Sequence, residues 1–354
     1  EQHIWPAESA HMGQEFVRCG TELAIAEMIR SGTTTFTDMY FFPDVCAATA
    51  ERLGMRCQIT FPVLDFPTAW AQNADEYISK GLALRDDVKH SELVSVGFGP
   101  HAPYTVSMEN LSKVATFAAE LDMAVTIHLH ETRGEVLLAV EQHGERPIDT
   151  LHRLGLIGPR TLCVHMTDLG EQDMALLAET GAHVIHCPQS NMKLASGSCP
   201  VNSLTSRGVN VALGTDGAAS NNDLNMFGEM QSAALLAKLV SEDATALPAS
   251  DALAMATING ARALGLEDRI GSLEVGKQAD LIAVDLGGPE TQPLYNPVSQ
   301  LVYACNGSQV SHSWIAGQPV LQARALTRID LPALTARARS WQQKIRNSRA
   351  ANEQ

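Results

Sequence analysis

The sequence predicts an α/β fold: a (β/α)8 TIM-type barrel whose first strand is missing from this chain, followed by a small β-sandwich domain. Three observations favour this fold. Seven short β-type runs alternate with amphipathic helical patterns at a spacing of roughly 30 residues. Each run ends in a polar or turn residue. No glycine-rich nucleotide motif follows any run, which disfavours a doubly wound sheet.

The seven strands are placed by their β-branched and aromatic residues. In chain order they are TTTFTDM (33–39), RCQITFP (56–62), LVSVGFGPH (93–101), AVTIHLHE (124–131), TLCVHMT (161–167), HVIHCPQSN (183–191) and VNVALGTDG (209–217). Between them, apolar residues at every third or fourth position predict helices, for example over 20–32, 109–122, 135–144 and 171–181. Because strands and helices alternate, we expect parallel strands with right-handed crossovers.

After the seventh strand the pattern changes. Residues 250–266 predict one helix that ends on a glycine. Segments 269–286 and 310–326 predict short strands around Gly-containing turns, the second of them a hairpin. A terminal helix is predicted over 331–348. We therefore expect a barrel over 1–264, a small β domain over 265–330 and a C-terminal helix over 331–354.

The composition narrows the possible functions. The net charge of −15 argues against a nucleic-acid partner, because nucleic-acid affinity depends largely on Lys and Arg contacts to phosphate. No apolar stretch of about 18 residues is present, so we expect no membrane span. The seven cysteines have no C-x-x-C spacing, and we expect reduced thiols in a cytoplasmic protein. A small molecule is the expected partner, and a homo-oligomer is possible.

The ends of the predicted strands carry a set of ionisable residues. They are Asp38, His101, His128, His165, His186 and Asp216. In a barrel these positions converge on one mouth, so six of them together indicate a functional site and not a series of packed core residues. His128, His165 and Asp216 are candidates for handling a divalent cation, because imidazole and carboxylate groups suit zinc. Glu131, three residues after His128, is a candidate acid or base beside that cation.

Seven motifs are distributed along most of the chain. They are IWPAE (4–8), GFGPHAPYTVS (97–107), IHLHE (127–131), CVHMT (163–167), HCPQSNMKLASG (186–197), LGTDGAASNND (213–223) and GSLEVGKQADLIAVD (271–285). Together they resemble the amidohydrolase superfamily and, within it, the 5-methylthioadenosine/S-adenosylhomocysteine deaminases. The resemblance implies a zinc-dependent barrel enzyme that hydrolytically deaminates an adenine ring.

The resemblance also implies a role for each candidate residue. His128 and Asp216 would be zinc ligands, on strands five and eight of a complete barrel. Glu131 would be the proton shuttle, and His165 would position the attacking hydroxide. Glu131 and Asp216 would also contact the substrate during the reaction.

Two further positions would contact the nucleoside. Glu8 would accept hydrogen bonds from the ribose hydroxyls, since one carboxylate can accept from two vicinal hydroxyls. His101 would contact the same substrate. His130 is expected to be a packing residue, because the family spacing selects His128 as the ligand. His186 is expected to be a hydrogen-bond partner behind the site.

One feature of the family has no match in this sequence. The family carries two further zinc ligands in an H-x-H pair at the end of strand one. We therefore expect residues before Glu1 that carry this strand and this pair, with one zinc ion per chain.

Three functions remain open from the sequence. The first is hydrolytic deamination of the adenine ring of 5′-methylthioadenosine and/or S-adenosylhomocysteine, with release of ammonia. The second is a deaminase or chlorohydrolase that acts on guanine, adenosine or a triazine ring, because related enzymes share the His-x-x-Glu and T-D-G motifs. The third is a truncated, non-catalytic barrel that binds a nucleoside, which the missing H-x-H pair suggests.

Overall fold

Seven parallel strands form one curled sheet in the computed structural model, which describes residues 4–352. They pair in chain order: β1 Thr35–Asp38, β2 Arg56–Val63, β3 Val94–Pro100, β4 Val125–Leu129, β5 Thr161–His165, β6 His183–His186 and β7 Val211–Leu213. Each of the seven predicted runs contains a strand, but the sixth run, predicted over 183–191, is a strand only over His183–His186, and a helix begins at Pro188. Within the described residues, β1 and β7 are the two edges of this sheet.

Thirteen helices accompany this sheet along the described chain. They are α1 Ile4–His11, α2 Gln14–Ser31, α3 Pro43–Leu53, α4 Ala74–Val88, α5 Met108–Leu121, α6 Arg133–His143, α7 Pro147–Arg153, α8 Glu171–Thr180, α9 Pro188–Lys193, α10 Val201–Ser206, α11 Met226–Ser241, α12 Ala249–Met255 and α13 Ile258–Ala263. Asn73, Ser107 and Thr132 cap α4, α5 and α6, each accepting a hydrogen bond from the backbone three residues further on. These caps define where the helices begin after their loops.

Strand β2, inside the sheet, is buried on both faces, as parallel strands usually are. All eight residues of β2 are buried. On this strand the Phe61 ring meets that of Phe98 from β3 edge to face, with 4.8 Å between ring centroids. Helix α4 packs so closely here that Gly81 leaves no room for a side chain above Phe61. The core therefore fixes the strands whose ends carry the site.

A second, antiparallel sheet follows the barrel helices. Its strands are β8 Leu281–Val284, β9 Val310–Ile315, β10 Gln318–Gln322 and β11 Ala325–Leu326, in the order β11-β10-β9-β8. The predicted hairpin is β9 and β10, whose turn residues Ala316 and Gly317 have φ angles of 49° and 74°. Helix α14 Pro297–Tyr303 and the short 3-10 turns Pro289–Thr291 and Gly307–Gln309 lie between β8 and β9. Helix α15 Leu331–Asn352 ends the described chain.

A buried ion pair connects the two sheets. The Arg56 guanidinium, at the start of β2, donates to both carboxylate oxygens of Asp280, at 2.7 and 3.0 Å. Both side chains are 2% exposed, and Asp280 immediately precedes β8. The predicted domain limits remain a prediction, and their outermost positions, 1 and 354, lie outside the described residues.

Two predictions after the seventh strand need correction. The helix predicted over 250–266 is two helices, α12 and α13, because the Thr257 backbone leaves the helical region at φ −130° and ψ −97°. The Thr257 hydroxyl donates to the Leu253 carbonyl at 2.7 Å, while the Asn259 amide reaches the carbonyl of Val211 on β7. These bonds turn the chain towards the sheet. Segment 269–286 forms one strand, β8, and otherwise turns.

Other global predictions concern the membrane and the cysteines. Among residues 4–352, the structure has no helix that is both long and apolar enough to span a bilayer. All seven cysteines are free thiols, and all are buried.

Candidate active site

The predicted site residues gather at the carboxyl ends of the parallel strands. A cavity of about 1900 Å³ opens inside the curled sheet. Glu8, Asp38, His101, His128 and Asp216 all line it. The cavity therefore joins side chains from the ends of β1, β3 and β4, from the loop after β7, and from helix α1.

His128 is held in one tautomer by its neighbour. Its Nδ1 donates to the backbone carbonyl of His101 at 2.8 Å, so Nε2 keeps its lone pair. The ring lies 5.0 Å from that of His101 and 5.5 Å from that of His165. Burial lowers the pKa of His128 and the His165 imidazole lowers it further, while the Asp216 and Glu131 carboxylates oppose the shift. A neutral imidazole is the form that binds a metal.

His165, the last residue of β5, lies between Glu131 and Asn191. Its Nδ1 donates to Oδ1 of Asn191 at 2.9 Å, and its Nε2 lies 3.8 Å from Oε2 of Glu131. The other oxygen of Glu131 accepts a hydrogen bond from the Ser196 hydroxyl at 3.2 Å. Glu131 is thus fixed beside an imidazole nitrogen, which suits a residue that accepts and returns a proton.

Asp216 follows β7, and both of its carboxylate oxygens accept hydrogen bonds. The Ser190 hydroxyl donates to Oδ2 at 2.7 Å, and the backbone N–H of Gly217 donates to Oδ1 at 2.6 Å. The carboxylate is close enough to His101 to oppose the lowering of its pKa to about 4, which burial and His128 cause. Asp216, His101 and His128 therefore form one electrostatic group.

Glu8 is connected to the strand ends by a tyrosine. The Tyr40 hydroxyl donates to Oε1 of Glu8 at 2.6 Å. Burial raises the pKa of Tyr40, and the Glu8 and Asp38 carboxylates raise it further, so the phenol keeps its proton. Tyr40 could not be predicted from the sequence, since a tyrosine two residues after a strand carries no distinctive signal.

Four residues at or just after the carboxyl ends of strands have a left-handed backbone. His130, His165, Met166 and Asp216 have φ angles of 51°, 77°, 50° and 60°. For residues other than glycine this region costs on the order of 1 kcal/mol each, and such residues cluster at functional sites. In this structure the left-handed residues include His165, the last residue of β5, and Asp216, which lines the cavity after β7.

The two remaining histidines lie behind this site. His130 is fully buried, with Nδ1 donating to the Asp168 carbonyl at 2.9 Å and Nε2 accepting from the Ile148 N–H at 3.3 Å. His130 is therefore a packing residue, as predicted. His186 is buried, and burial with the His165 imidazole lowers its pKa to about 3. The hydrogen bond expected of His186 is not made at Nδ1, which has no partner within residues 4–352.

The donor set fits part of a zinc site. His128 offers a neutral imidazole nitrogen and Asp216 an oriented carboxylate, both suitable for zinc. A catalytic zinc usually has three protein ligands. Across the part of the chain that the structure describes, no group of three or more His, Cys, Asp or Glu side chains is arranged to hold a metal ion.

Comparisons with known proteins place this geometry in context. The profile of the Amidohydrolase family matches residues 4–320. A 5-methylthioadenosine/S-adenosylhomocysteine deaminase of Teredinibacter turnerae is 56% identical over 98% of this chain and 78% of its own length. The deaminase of the same name from Saccharophagus degradans is 49% identical, over 100% of this chain and 79% of its own length.

Solved structures agree with the fold. An adenosine deaminase from Xanthomonas campestris, crystallised with bound zinc, superposes with a TM-score of 0.97 at 53% identity, covering 98% of this chain and 79% of that one. The zinc complex of atrazine chlorohydrolase from Arthrobacter aurescens has a TM-score of 0.87 at 22% identity, covering 95% of this chain and 78% of that one. The second similarity concerns the fold alone.

Proposed function

The chain belongs to the amidohydrolase family, and we propose that it hydrolytically deaminates the adenine ring of 5′-methylthioadenosine and/or S-adenosylhomocysteine. Water adds at C6 of the ring, the bond from C6 to the amino nitrogen breaks, and ammonia leaves. The products are an inosine-type thioether and ammonia. The chemical class is that of a metal-dependent aminohydrolase.

One observation carries this proposal. The chain is 56% identical, over 98% of its length, to a protein named as a deaminase of these two nucleosides. The geometry is compatible with the reaction, because a carboxylate, two imidazoles and a second carboxylate meet at one end of the sheet. A reaction that moves protons onto a ring nitrogen and a leaving amine needs such groups close together.

Glu131 is the proposed proton shuttle. Its carboxylate takes a proton from the attacking water and delivers it to ring N1, which neutralises the negative charge that develops there. His165, 3.8 Å from Glu131, holds the water in line with C6. Asp216 holds the same water, and two hydrogen-bond donors set the orientation of its carboxylate. Glu131 then takes the second proton, from the hydroxyl group now bonded to C6, and gives it to the departing amine, which leaves as ammonia.

We propose one zinc ion per chain, with His128 and Asp216 among its ligands. When bound, zinc supplies a hydroxide nucleophile near neutral pH. Two further histidine ligands in an H-x-H pair on a strand before Glu1, which the resemblance implies, are part of the proposal. Zinc is named in the structure of the Xanthomonas campestris relative.

Glu8 and His101 are the proposed nucleoside contacts. Oε2 of Glu8 is not engaged by Tyr40, which donates to Oε1, so this carboxylate has acceptor capacity for the ribose hydroxyls. His101 is kept neutral by burial and by His128, and it faces the same cavity. The Tyr40 hydroxyl fixes Glu8 before the substrate arrives, which reduces the ordering cost on binding.

Adenosine is a second candidate substrate. The Xanthomonas campestris relative, named an adenosine deaminase, is 53% identical to this chain. A cytoplasmic location remains a proposal that rests on the seven buried free thiols. A homo-oligomeric state remains a prediction.

The test is a deaminase assay of the full-length protein. The purified protein is incubated separately with 5′-methylthioadenosine, S-adenosylhomocysteine and adenosine, and ammonia release is compared with the change in ring absorbance. We expect equimolar ammonia and hypoxanthine-type product from at least one of the two thioethers. Glu131→Gln should lower kcat by about 10² to 10⁴, the usual contribution of a positioned acid–base group.

The matched control is Glu141→Gln, which removes an exposed carboxylate from α6, the helix that follows Glu131. It should retain full turnover. If none of the three nucleosides releases ammonia, the proposed function is wrong. If Glu131→Gln turns over at the wild-type rate, the reaction stands but the proton shuttle is another residue.

A further inference from the structure

We propose that Ser190 and Asn191, adjacent on helix α9, are the positioning residues that orient Asp216 and His165. The inference rests on the proposed function, because it concerns the same reaction. Ser190 fixes the Asp216 carboxylate, and Asn191 fixes the tautomer and ring orientation of His165. Neither residue touches the substrate in this arrangement; each acts through its partner.

The topology explains how two neighbouring residues reach two separate strands. Helix α9 follows β6, which lies between β5 and β7 in the sheet. Consecutive side chains on a helix point about 100° apart. Ser190 therefore reaches Asp216 beyond β7, while Asn191 reaches His165 at the end of β5. Both residues are 0% exposed.

Ser190 completes the donor pair on Asp216. The hydroxyl donates to Oδ2 at 2.7 Å, opposite the Gly217 N–H on Oδ1. With one donor on each oxygen, rotation of the carboxylate about its bond to Cβ would break both hydrogen bonds. Removing the hydroxyl would leave a single donor and a carboxylate free to turn.

Asn191 determines which nitrogen of His165 carries the proton. Its Oδ1 can only accept, so the bond of 2.9 Å requires a proton on Nδ1 of His165. Nε2, which faces Glu131 at 3.8 Å, is then the nitrogen that exchanges hydrogen bonds with the reacting groups. Removing hydrogen-bond partners of this kind from catalytic histidines and carboxylates typically lowers activity by about 10- to 100-fold.

Helix α9 is itself anchored to the Asp216 loop by a buried carboxyl group. Glu229 of α11 accepts from the backbone N–H of Gln189 at 3.3 Å and from the Asn221 amide at 2.6 Å. The Asn221 amide also donates to the Thr215 carbonyl at 2.8 Å. The positions of α9 and of the residue before Asp216 are therefore fixed through two hydrogen-bonded side chains, Glu229 and Asn221, as a preorganised site requires.

The experiment uses two pairs of variants of the full-length protein. Ser190→Ala removes the donor and Ser190→Thr keeps it; Asn191→Leu removes the acceptor and Asn191→Asp keeps it. We expect Ser190→Ala and Asn191→Leu to lower kcat by about 10- to 100-fold. KM should change less than kcat, because the lost interactions do not touch bound nucleoside. Ser190→Thr and Asn191→Asp should recover most of the activity.

The control is Met192→Ala, on the same helix, where the side chain is 48% exposed. It should turn over at the wild-type rate, and circular dichroism should show all five variants folded. Unchanged kcat in Ser190→Ala and Asn191→Leu would overturn the inference. An equal loss of kcat in Ser190→Thr and Asn191→Asp would also overturn it. That pattern would indicate that the substitutions act through packing and not through the hydrogen bonds. An inactive wild type would instead count against the proposed function.

Discussion

Glu229 shows how one buried residue makes the region around the site sensitive to pH. The side chain is fully buried on α11 and accepts hydrogen bonds from Gln189 and Asn221. Burial raises its pKa to about 7, although both hydrogen bonds favour the ionised form. The carboxylates of Asp223 and Asp216 add to the rise. The residue that anchors α9 therefore changes charge near neutrality.

The direction of the effect on stability follows from that shift. The pKa of Glu229 is higher in the folded protein than in the unfolded chain. Protonated Glu229 therefore makes its full contribution to stability when the pH is below the pKa of the unfolded chain. This contribution is lost as pH rises through about 7. We expect the wild type to lose on the order of 2 kcal/mol of stability between pH 5.5 and 8.5 from this group. Glu229→Gln cannot ionise and should lose less over the same range.

Thermal unfolding at several pH values between 5.5 and 8.5 tests this expectation, with the midpoint of wild type and variant compared at each pH. Glu179→Gln, which removes an exposed carboxylate from α8, should follow the wild type. Parallel curves for Glu229→Gln and wild type would show that Glu229 does not titrate in this range.

At the residue scale, part of the site could be predicted from the sequence. His128, His165 and Asp216 could be found because strand ends in a barrel converge. Their hydrogen-bond partners could not be predicted. Ser190 and Asn191 each contact a residue that is 26 positions away in the sequence and follows or ends a different strand. No local pattern encodes such a contact.

At the scale of elements, two helical glycines have opposite surroundings. Gly81 of α4 faces Phe61, and a Cβ added there would lie 2.3 Å from the ring. Phe61 cannot move easily, because it is fully buried and packs on Phe98. Gly20 of α2 has open space, with nothing within 4 Å of an added Cβ. The α4–β2 contact therefore depends on a missing side chain, and the α2 position does not.

This contrast predicts opposite effects of the same substitution. Gly81→Ala should destabilise the protein by about 1 to 3 kcal/mol, the usual effect of overpacking a core. Gly20→Ala should stabilise it by about 0.5 to 1 kcal/mol, because alanine loses less backbone entropy than glycine in a helix. Urea unfolding of both variants measures the change. Equal stability of the two variants would mean that α4 can shift away from β2.

At the same scale, elements with a strong local sequence pattern could be predicted. Elements whose ends are set by hydrogen bonds in the folded structure could not. The seven strands are β-branched runs that end at polar residues, and the structure has all seven. The break between α12 and α13 follows from bonds made by Thr257 and Asn259, the latter to β7. Over 250–266 the apolar periodicity continues through this break, so the sequence alone predicts one helix.

At the scale of the whole molecule, charge selects among nucleosides. The protein carries a net charge of −15, and the cavity presents the carboxylate of Glu8, which is not among the proposed zinc ligands. A cavity with low-dielectric walls concentrates the field of such charges, so anions are repelled from it. Neutral nucleosides enter without this penalty. The acidic composition that argues against nucleic acid therefore also argues against nucleotides as substrates.

Adenosine 5′-monophosphate tests this selection, given the proposed function. We expect its kcat/KM to lie at least about 10-fold below that of 5′-methylthioadenosine, since 1.4 kcal/mol of unfavourable binding is a factor of ten. The thioether is the size control, because it also extends the 5′ carbon but carries no charge. Raising the salt concentration should narrow the difference, because ions screen charges over a shorter distance. A nucleotide that reacts as fast as the thioether at low salt would show that neither the net charge nor the Glu8 carboxylate governs entry.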